Sequence, residues 1–190
     1  MKIKIKQGKN CIISPNIRFR YPELVELGDE VIIDDFVYIS TKLKVGSYSH
    51  ICTGVKIIGG KNSTVRIGDF CSLSPNVVVA AGGDSYESGF ASCTIPQAYK
   101  GKVTTGRVEM VNNCFTGSNS VILPNVTYSE GSRVGALSLV KEGMSLEPYS
   151  IYAGVPVKFI KKVNEEEIKR LEAEFRRSLY DITESALFNR

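Results

Sequence analysis

Between residues 27 and 57 the chain carries an aliphatic residue at every sixth position. These positions are Leu27, Ile33, Ile39, Val45, Ile51 and Ile57, and the residue that follows each of them is often small or acidic. A period of six matches neither an amphipathic helix nor an alternating strand. It is typical of the hexapeptide form of a β-helix, in which short flat strands meet at tight turns. The pattern therefore predicts an all-β solenoid rather than a meander of ordinary strands.

The frame of six continues along the chain with two interruptions. It resumes at Ile67, Leu73 and Val79, and again at Met110, Thr116, Ile122, Tyr128, Val134 and Val140. Three hexads make one triangular coil, so equivalent residues of successive coils are expected to lie about 4.8 Å apart on the same face. The first face then carries the hexads that begin at 27, 45, 67, 110 and 128, the second those at 33, 51, 73, 116 and 134, and the third those at 39, 57, 79, 122 and 140. This register also places Cys71 beside Cys114, where we expect core packing.

Segments outside the frame complete the predicted organisation. Residues 1–26 are expected to form an irregular N-terminal cap, because a solenoid end exposes strand edges that need covering. Residues 59–66 and about 83–109 interrupt the frame at the same corner. The second interruption is long and partly apolar, so we expect a protruding loop that packs against a neighbouring subunit. The β-helix domain then spans 1–163, and 164–190 forms a C-terminal α-helix that covers the solenoid end, with Asn164 as its cap.

Composition narrows the range of functions. The formal net charge is +4, and the excess is too small and scattered to indicate nucleic-acid binding. The N-terminal segment has no apolar run long enough for a signal peptide or a membrane span, so no membrane insertion is expected. Five cysteines without close pairs suit a reducing cytoplasm, and a single histidine argues against a built-in metal site.

The hexad frame and the segment that closes it resemble the hexapeptide-repeat acyltransferases. Those proteins close with a segment like Ala-Gly-x-Pro-Ala-Lys, and here the corresponding residues are 153–158, with Val157 where alanine is usual. The resemblance covers nearly the whole chain. It implies a left-handed parallel β-helix, whereas the crossover rule alone would favour the right hand. It also implies a homotrimer that uses acetyl-CoA as acyl donor, bound between adjacent coils.

A narrower resemblance rests on residues 46–60, 84–99 and 117–140. Together these stretches look like sugar acyltransferases of surface-polysaccharide synthesis, in particular those that acetylate the amine of dTDP-4-amino-4,6-dideoxy-D-glucose. Thr116 replaces the usual aliphatic residue and Ser129 the usual glycine. The likeness implies a role in O-antigen (lipopolysaccharide) biosynthesis. Because O-acetylating relatives share the scaffold, acetylation of a sugar hydroxyl remains the enzymatic alternative, and a non-catalytic trimeric scaffold is the other.

The chemistry of acyl transfer needs a group that removes a proton from the attacking amine or hydroxyl. His50 is the only histidine, it ends a hexad at a corner, and it matches the histidine-bearing stretch of the family, so it is the candidate base. The predicted register places Asp34 beside Cys52 and Asp35 beside Thr53, so either carboxylate lies within reach to orient His50. A substrate-assisted route, in which the amine binds already neutral and His50 only positions it, is the rival. An outward His50 would favour an enzyme, and a His50 inside the coil would favour a scaffold.

The family resemblance also implies binding residues for the two substrates. Coenzyme A is expected to contact the small-residue turns and lysines near the C-terminus, namely Gly117, Gly135, Ala136, Lys141, Ala153 and Lys158. The small residues are also what tight turns require. The nucleotide sugar is expected to contact Asn76, Asp84 and Tyr86.

Overall fold

The computed structural model describes residues 5–84, 90 and 94–188, with side chains up to residue 179 (Gln97 excepted). Most of this chain coils into a parallel β-solenoid of about seven turns, which confirms the predicted fold class, including its left hand. Each turn contributes one short strand to each of three faces. Strands are numbered β1 to β21 along the described chain.

Equivalent strands of successive coils pair in parallel, in the register that the hexads predict. The first face contains β1 (Lys6–Gln7), β4 (Val25–Leu27), β6 (Tyr38–Val45), β8 (Lys56–Ile67), β13 (Arg107–Met110), β16 (Thr127–Tyr128) and β19 (Ser145–Leu146). The second contains β2 (Ile12–Ile13), β5 (Ile32–Ile33), β7 (His50–Ile51), β9 (Ser72–Leu73), β14 (Phe115–Thr116), β17 (Arg133–Val134) and β20 (Ser150–Ala153), to which β21 (Lys158–Lys162) adds an antiparallel edge. The third contains β3 (Arg18–Phe19), the first halves of β6 and β8, β10 (Val78–Ala80), β15 (Val121–Ile122) and β18 (Leu139–Val140).

The aliphatic residues of the hexads point inward and form one continuous core along the prism. Tyr128 is not aliphatic, but it occupies one of the inward hexad positions and is fully buried. Its hydroxyl accepts a hydrogen bond from Thr116 Oγ1 at 3.3 Å. The threonine at 116 is therefore explained by the tyrosine, because a buried hydroxyl without a partner would be costly. Burial raises the pKa of Tyr128 above its ordinary value.

The corner between the first and second faces is held by a ladder of side-chain to backbone hydrogen bonds. The N–H of Lys9 donates to Asp29 at 2.7 Å, and the N–H of Asp29 donates to Ser47 at 3.0 Å. The same pattern continues from Ser47 to Asp69 at 2.8 Å and from Asp69 to Asn112 at 2.9 Å. Each polar corner residue thus satisfies a backbone donor of the preceding coil, which a turn would otherwise leave unpaired.

The N-terminal segment is more regular than the sequence predicted. Strands β1, β2 and β3 pair in register with the next coil, so residues 6–19 form a coil of the solenoid rather than an irregular cap. The hexad pattern was obscured because Gln7 and Phe19 stand at the positions equivalent to Leu27 and Ile39. In addition, residues 20–24, including a 3₁₀ turn at Pro22–Leu24, are inserted after this coil.

The two interruptions of the frame have different structures, although both lie at the predicted corner between the third and first faces. Residues 59–66 continue strand β8 around the corner, where it pairs with β6 through a shift in register. The second interruption leaves the coil as an antiparallel pair, β11 (Gly82–Asp84) and β12 (Val103–Thr105), with a 3₁₀ turn at Gln97–Tyr99. It ends earlier than predicted, since residues 107–109 are already in β13 of the first face.

The C-terminal helix α1 (Glu165–Phe188) begins at the predicted cap, where Asn164 Oδ1 accepts from the N–H of Glu167 at 3.1 Å. The sequence predicted that this helix covers the solenoid end. Instead it contacts the corner between the first and second faces. Phe175 meets the rings of Tyr48 and Phe70 with centroids 5.1 and 5.8 Å apart, and Arg176 lies over Phe70. In the part of the chain that is described, no helix has the length and apolar character to cross a bilayer.

The tight stacking of corners makes a specific prediction about glycine. A Cβ at Gly46 would lie 2.5 Å from the carbonyl carbon of Gly68 and 2.6 Å from the nitrogen of Asp69, and it would also meet the Asp69 carboxylate. Because backbone atoms cannot yield without moving the coil, Gly46→Ala should lower the free energy of unfolding by about 1–3 kcal/mol. Chemical denaturation at matched protein concentration measures this change.

Gly83→Ala is the matched control, because a Cβ at Gly83 meets nothing within 4 Å. It should change the free energy of unfolding by less than about 0.5 kcal/mol. Equal denaturation midpoints for the two variants would contradict the close corner contact.

Candidate active site

A column of small and polar residues runs along the corner that follows the second face. Each member comes directly after an inward residue of that face, and every member but the last donates its N–H to the next coil, at 2.8–3.0 Å. The members are Asp34, Cys52, Ser74, Gly117, Gly135 and Ala153, and we call them the corner column. With one strand spacing between neighbours, the column is about 24 Å long. It brings together candidate residues that lie far apart in the sequence.

His50 lies on the outer surface of β7, two residues before Cys52 of the corner column. Its Nε2 is 2.8 Å from Asp34 Oδ2, one coil away. The two side chains are 41% and 40% exposed, so the pair is open to solvent. An ionised carboxylate can only accept hydrogen bonds. Nε2 therefore carries the ring proton and donates a hydrogen bond to Asp34, which leaves the lone pair on Nδ1. His50 therefore points outward, with Nε2 oriented by Asp34 and the lone pair of Nδ1 directed towards Cys52.

Of the two carboxylates that the sequence offered to orient His50, only Asp34 contacts it. Asp35 turns the other way, where it accepts hydrogen bonds from Ser14 Oγ and, at 2.9 Å, from Asn16 Nδ2. These two hydrogen bonds lower the pKa of Asp35 below its ordinary value. Asp35 is thus engaged by the preceding coil, and Asp34 is the orienting residue.

Cys52 contacts the other ring nitrogen of His50, with Sγ 3.7 Å from Nδ1. Burial, and to a smaller extent the negative charge of Asp34, raises the pKa of the Cys52 thiol above its ordinary value, while a hydrogen bond with Ser72 opposes that rise. At neutral pH the thiol is therefore protonated. The predicted register already placed Asp34 beside Cys52. The sequence did not indicate that Cys52 and Ser72 lie at the site, because cysteine and serine are also common as core and turn residues of hexads.

The residues expected to bind coenzyme A fall into two groups. Gly117, Gly135 and Ala153 belong to the corner column, Ala136 is exposed beside it, and Lys158 pairs with Ala153 on edge strand β21. A Cβ at Gly117 would clash with the backbone of residues 135–136, so packing alone requires a glycine there. Lys141 is not part of this group, since it follows the third face and lies at a different corner.

The structure describes two of the three residues expected to bind the sugar nucleotide. Asn76 is exposed at the corner after the second face, with φ of 62°, a left-handed backbone conformation that asparagine tolerates. Asp84 is exposed at the end of β11, and no contact that the structure describes joins it to His50. Tyr86 lies outside the described residues.

Comparison with solved structures identifies proteins that share the entire fold. The chain is 38% identical to AntD, an N-acyltransferase from Bacillus cereus solved with dTDP and 3-hydroxybutyryl-CoA, with a TM-score of 0.86 over 94% of each chain. A mutant of AntD solved with dTDP-4-amino-4,6-dideoxyglucose and coenzyme A is 37% identical, with a TM-score of 0.84 over 91% of this chain and 90% of that one. A hexapeptide-repeat acetyltransferase from Vibrio cholerae, at 16% identity and a TM-score of 0.57, shares the fold.

Comparison with characterised sequences gives a consistent result. The dTDP-4-amino-4,6-dideoxy-D-glucose acyltransferase of Escherichia coli is 29% identical over 170 residues, which is 88% of this chain and 85% of that protein. The galactoside O-acetyltransferase of Escherichia coli K12 is 26% identical over 165 residues, 83% of this chain and 64% of that protein. No family model matches the chain.

Proposed function

Since the chain belongs to the hexapeptide-repeat acyltransferase family, we propose that it transfers an acetyl group from acetyl-CoA to the amine of a nucleotide-linked amino sugar. The observation that carries this proposal is the outward His50–Asp34 pair at the end of the corner column. The first acceptor to consider is dTDP-4-amino-4,6-dideoxy-D-glucose. Two relatives support this choice, one named for acyl transfer to that sugar nucleotide and one solved as a complex with it.

In the proposed reaction His50 acts as general base through Nδ1. The neutral amine of the sugar attacks the thioester carbonyl, a C–N bond forms, and the C–S bond of acetyl-CoA breaks. The proton that the amine loses passes to Nδ1, and the departing thiolate of coenzyme A takes up a proton. Asp34 keeps Nε2 protonated and stabilises the positive charge that His50 gains. Cys52, 3.7 Å from Nδ1, lies on the side from which the amine must approach.

The corner column provides a place for the acyl donor. Its small residues Gly117, Gly135 and Ala153 let an extended chain come close to the backbone, and the column leads from Lys158 towards His50. Lys158 is exposed at the far end and is suited to the phosphates of coenzyme A. This placement would bring the thioester towards the base while the nucleotide portion stays near β21.

The reaction fits a place in surface-polysaccharide (O-antigen) biosynthesis, since acetylated amino sugars are incorporated from their nucleotide forms. We assign it to the cytoplasm, because acetyl-CoA is an intracellular donor and the unpaired cysteine pattern suits a reducing compartment. O-acetylation of a sugar hydroxyl is the second candidate, favoured by the likeness to galactoside O-acetyltransferase. The exposed His50 speaks against a purely structural role, for which an inward histidine was the expectation.

The experiment that tests the proposed reaction measures coenzyme A release with acetyl-CoA and a panel of acceptors. The panel contains dTDP-4-amino, dTDP-3-amino and UDP-4-amino sugars together with galactosides. Turnover is expected with the dTDP-4-amino sugar. Turnover only with hydroxyl acceptors would establish O-acetylation instead. No turnover, together with no coenzyme A binding by calorimetry, would make the chain a scaffold.

His50→Ala is expected to lower turnover by roughly two to four orders of magnitude, because the attacking amine loses its proton acceptor. Steady-state kinetics with the best acceptor of the panel measures this loss, and circular dichroism confirms that the variant folds. A loss of about tenfold or less would support the substrate-assisted route, in which His50 only positions the amine.

Two neighbouring carboxylates offer a matched pair for the same assay. Asp34→Ala removes the 2.8 Å contact to His50 and should lower turnover by about tenfold or more. Asp35→Ala breaks only contacts to Ser14 and Asn16 and should leave turnover close to that of the unchanged protein. Equal losses in the two variants would contradict the orienting role of Asp34.

We further propose that the chain forms a homotrimer through its second and third faces. The outward residues of the first face are charged along five paired strands: Lys6, Glu26, Lys44, Arg66 and Glu109. The outward row of the third face begins with Arg18, Tyr38 and Lys56 and continues with the apolar residues Val78, Val121 and Leu139. The second face carries exposed Ile12 and Phe115. A ring of three identical chains needs two different contact surfaces on each chain, which these two faces supply.

The trimer predicts a mass near three times the 20.9 kDa of one chain in sedimentation or light scattering. Val121→Lys should shift the mass towards that of the monomer, because it places a charge in the proposed interface. Thr127→Lys, an equally small β-branched residue facing outward on the charged first face, should leave the trimer intact. A monomeric unchanged protein would contradict the proposal.

A further inference from the structure

Three side chains at the candidate active site have a property that the transfer reaction does not use. Asp34, His50 and Cys52 each offer an atom that can bind a transition metal, and these three atoms lie within 4.8 Å of one another. Within the described ranges, no other three His, Cys, Asp or Glu side chains meet in this way. We propose that these residues form a binding site for Zn²⁺, and that occupation of this site blocks His50 as a base.

The chemistry of the three groups selects the type of ion. A carboxylate oxygen, an imidazole nitrogen and a thiolate sulfur are the ligands found in zinc sites of proteins. The Cys52 thiol becomes a thiolate when the ion binds, and its proton is released to solvent. Hard cations such as Mg²⁺ and Ca²⁺ take oxygen ligands and would leave His50 and Cys52 unused. Three protein ligands and one open position are the arrangement of sites that keep a water molecule on the metal. The inferred site therefore holds one Zn²⁺ ion with water or a small anion as its fourth ligand.

The ligand atoms lie near one another, but one of them must move. Tetrahedral coordination with bonds of about 2.0–2.3 Å places ligand atoms roughly 3.3–3.8 Å apart. His50 Nδ1 and Cys52 Sγ are 3.7 Å apart, inside this range. Asp34 Oδ2 contacts the other ring nitrogen, Nε2, at 2.8 Å, so the carboxylate has to turn away from Nε2 and towards the Nδ1 side of the ring before all three groups meet one ion.

The backbone holds these ligands in place before any metal binds. The N–H groups of Asp34, His50 and Cys52 each donate to the following coil, at 2.9–3.0 Å. Little conformational entropy is then lost when the ion binds. Asp34 and His50 are about 40% exposed in the single chain, so the ion enters where the proposed subunit contact leaves this side of the pair open.

Binding and catalysis compete for the same groups. The lone pair that accepts a proton from the amine cannot do so while His50 is bound to a metal, and Asp34 cannot orient the ring while it is a ligand. Zn²⁺ should therefore inhibit the enzyme. The inhibition rests on the proposed function, whereas the metal binding does not, so the two are measured separately.

Metal binding is tested with Co²⁺ as a spectroscopic substitute for Zn²⁺, on the untagged full-length protein after treatment with a chelator and a reductant. We expect one Co²⁺ per chain, a thiolate-to-cobalt absorption band in the near ultraviolet, and loss of that band when Zn²⁺ is added. Cys52→Ser should abolish the band and weaken Zn²⁺ binding in equilibrium dialysis by on the order of tenfold or more. Asp34→Ala should weaken binding to a similar extent.

Cys11→Ser is the matched control, since Cys11 is a partly buried free thiol that lies against the backbone carbonyl of Gly28 at 3.1 Å. It should retain the cobalt band and the Zn²⁺ affinity of the unchanged protein. Absence of a thiolate band in the unchanged protein, or equal binding by the Cys52→Ser variant, would overturn the site. In that case the three side chains form only a hydrogen-bonded row.

Inhibition is tested by chromatography of the acetylated product, because released coenzyme A itself binds zinc. Micromolar Zn²⁺ should lower the initial rate of the unchanged protein, and a chelator should restore it. The Cys52→Ser variant should be inhibited less, relative to its own zinc-free rate. A cobalt band without inhibition would keep the metal site and remove its link to His50. A protein with no transferase activity would leave the binding result standing while the proposed function fails.

Discussion

Hydrogen bonding between successive coils is the constraint on which the rest of this structure depends. Parallel pairing fixes each residue above its equivalent in the previous coil, about one strand spacing away. Inward positions must then be apolar, and corner positions must supply either a small residue or a side chain that satisfies the backbone of the next coil. The ladder from Asp29 through Ser47 and Asp69 to Asn112 shows how polar residues meet this requirement.

The same constraint assembles the active site. Asp34, Cys52 and the small residues up to Ala153 lie far apart in sequence, yet each follows an inward residue of the second face and joins one column. His50 and Asp34 contact each other because they come from neighbouring coils whose strands pair residue by residue. The proposed base is held by two rigid strands, so it would need little ordering before it reacts. The same packing brings nitrogen, oxygen and sulfur atoms of His50, Asp34 and Cys52 close together, and this is the basis of the proposed metal site.

Features outside the repeat distinguish this chain from a plain solenoid. The extended strand β8 and the pair β11–β12 leave the coil at one corner, while α1 occupies another. The helix contacts the solenoid through Phe175 because Tyr48 and Phe70 occupy left-handed corner positions that project their rings outward. These additions sit on a scaffold whose own register they barely disturb. They are therefore the parts that can vary without loss of the core.

The sequence by itself determined the period, the three faces, the neighbour relation between Asp34 and Cys52, and the helix with its cap, because each of these follows from spacing alone. It obscured the first coil, since Gln7 and Phe19 do not look like hexad residues. It also left Asp34 and Asp35 equivalent, because spacing gives position but not side-chain direction. Only the tertiary structure turned Asp34 towards His50 and Asp35 towards Ser14, and placed the helix at a corner, because those outcomes depend on contacts between coils and on the rings that the corners project.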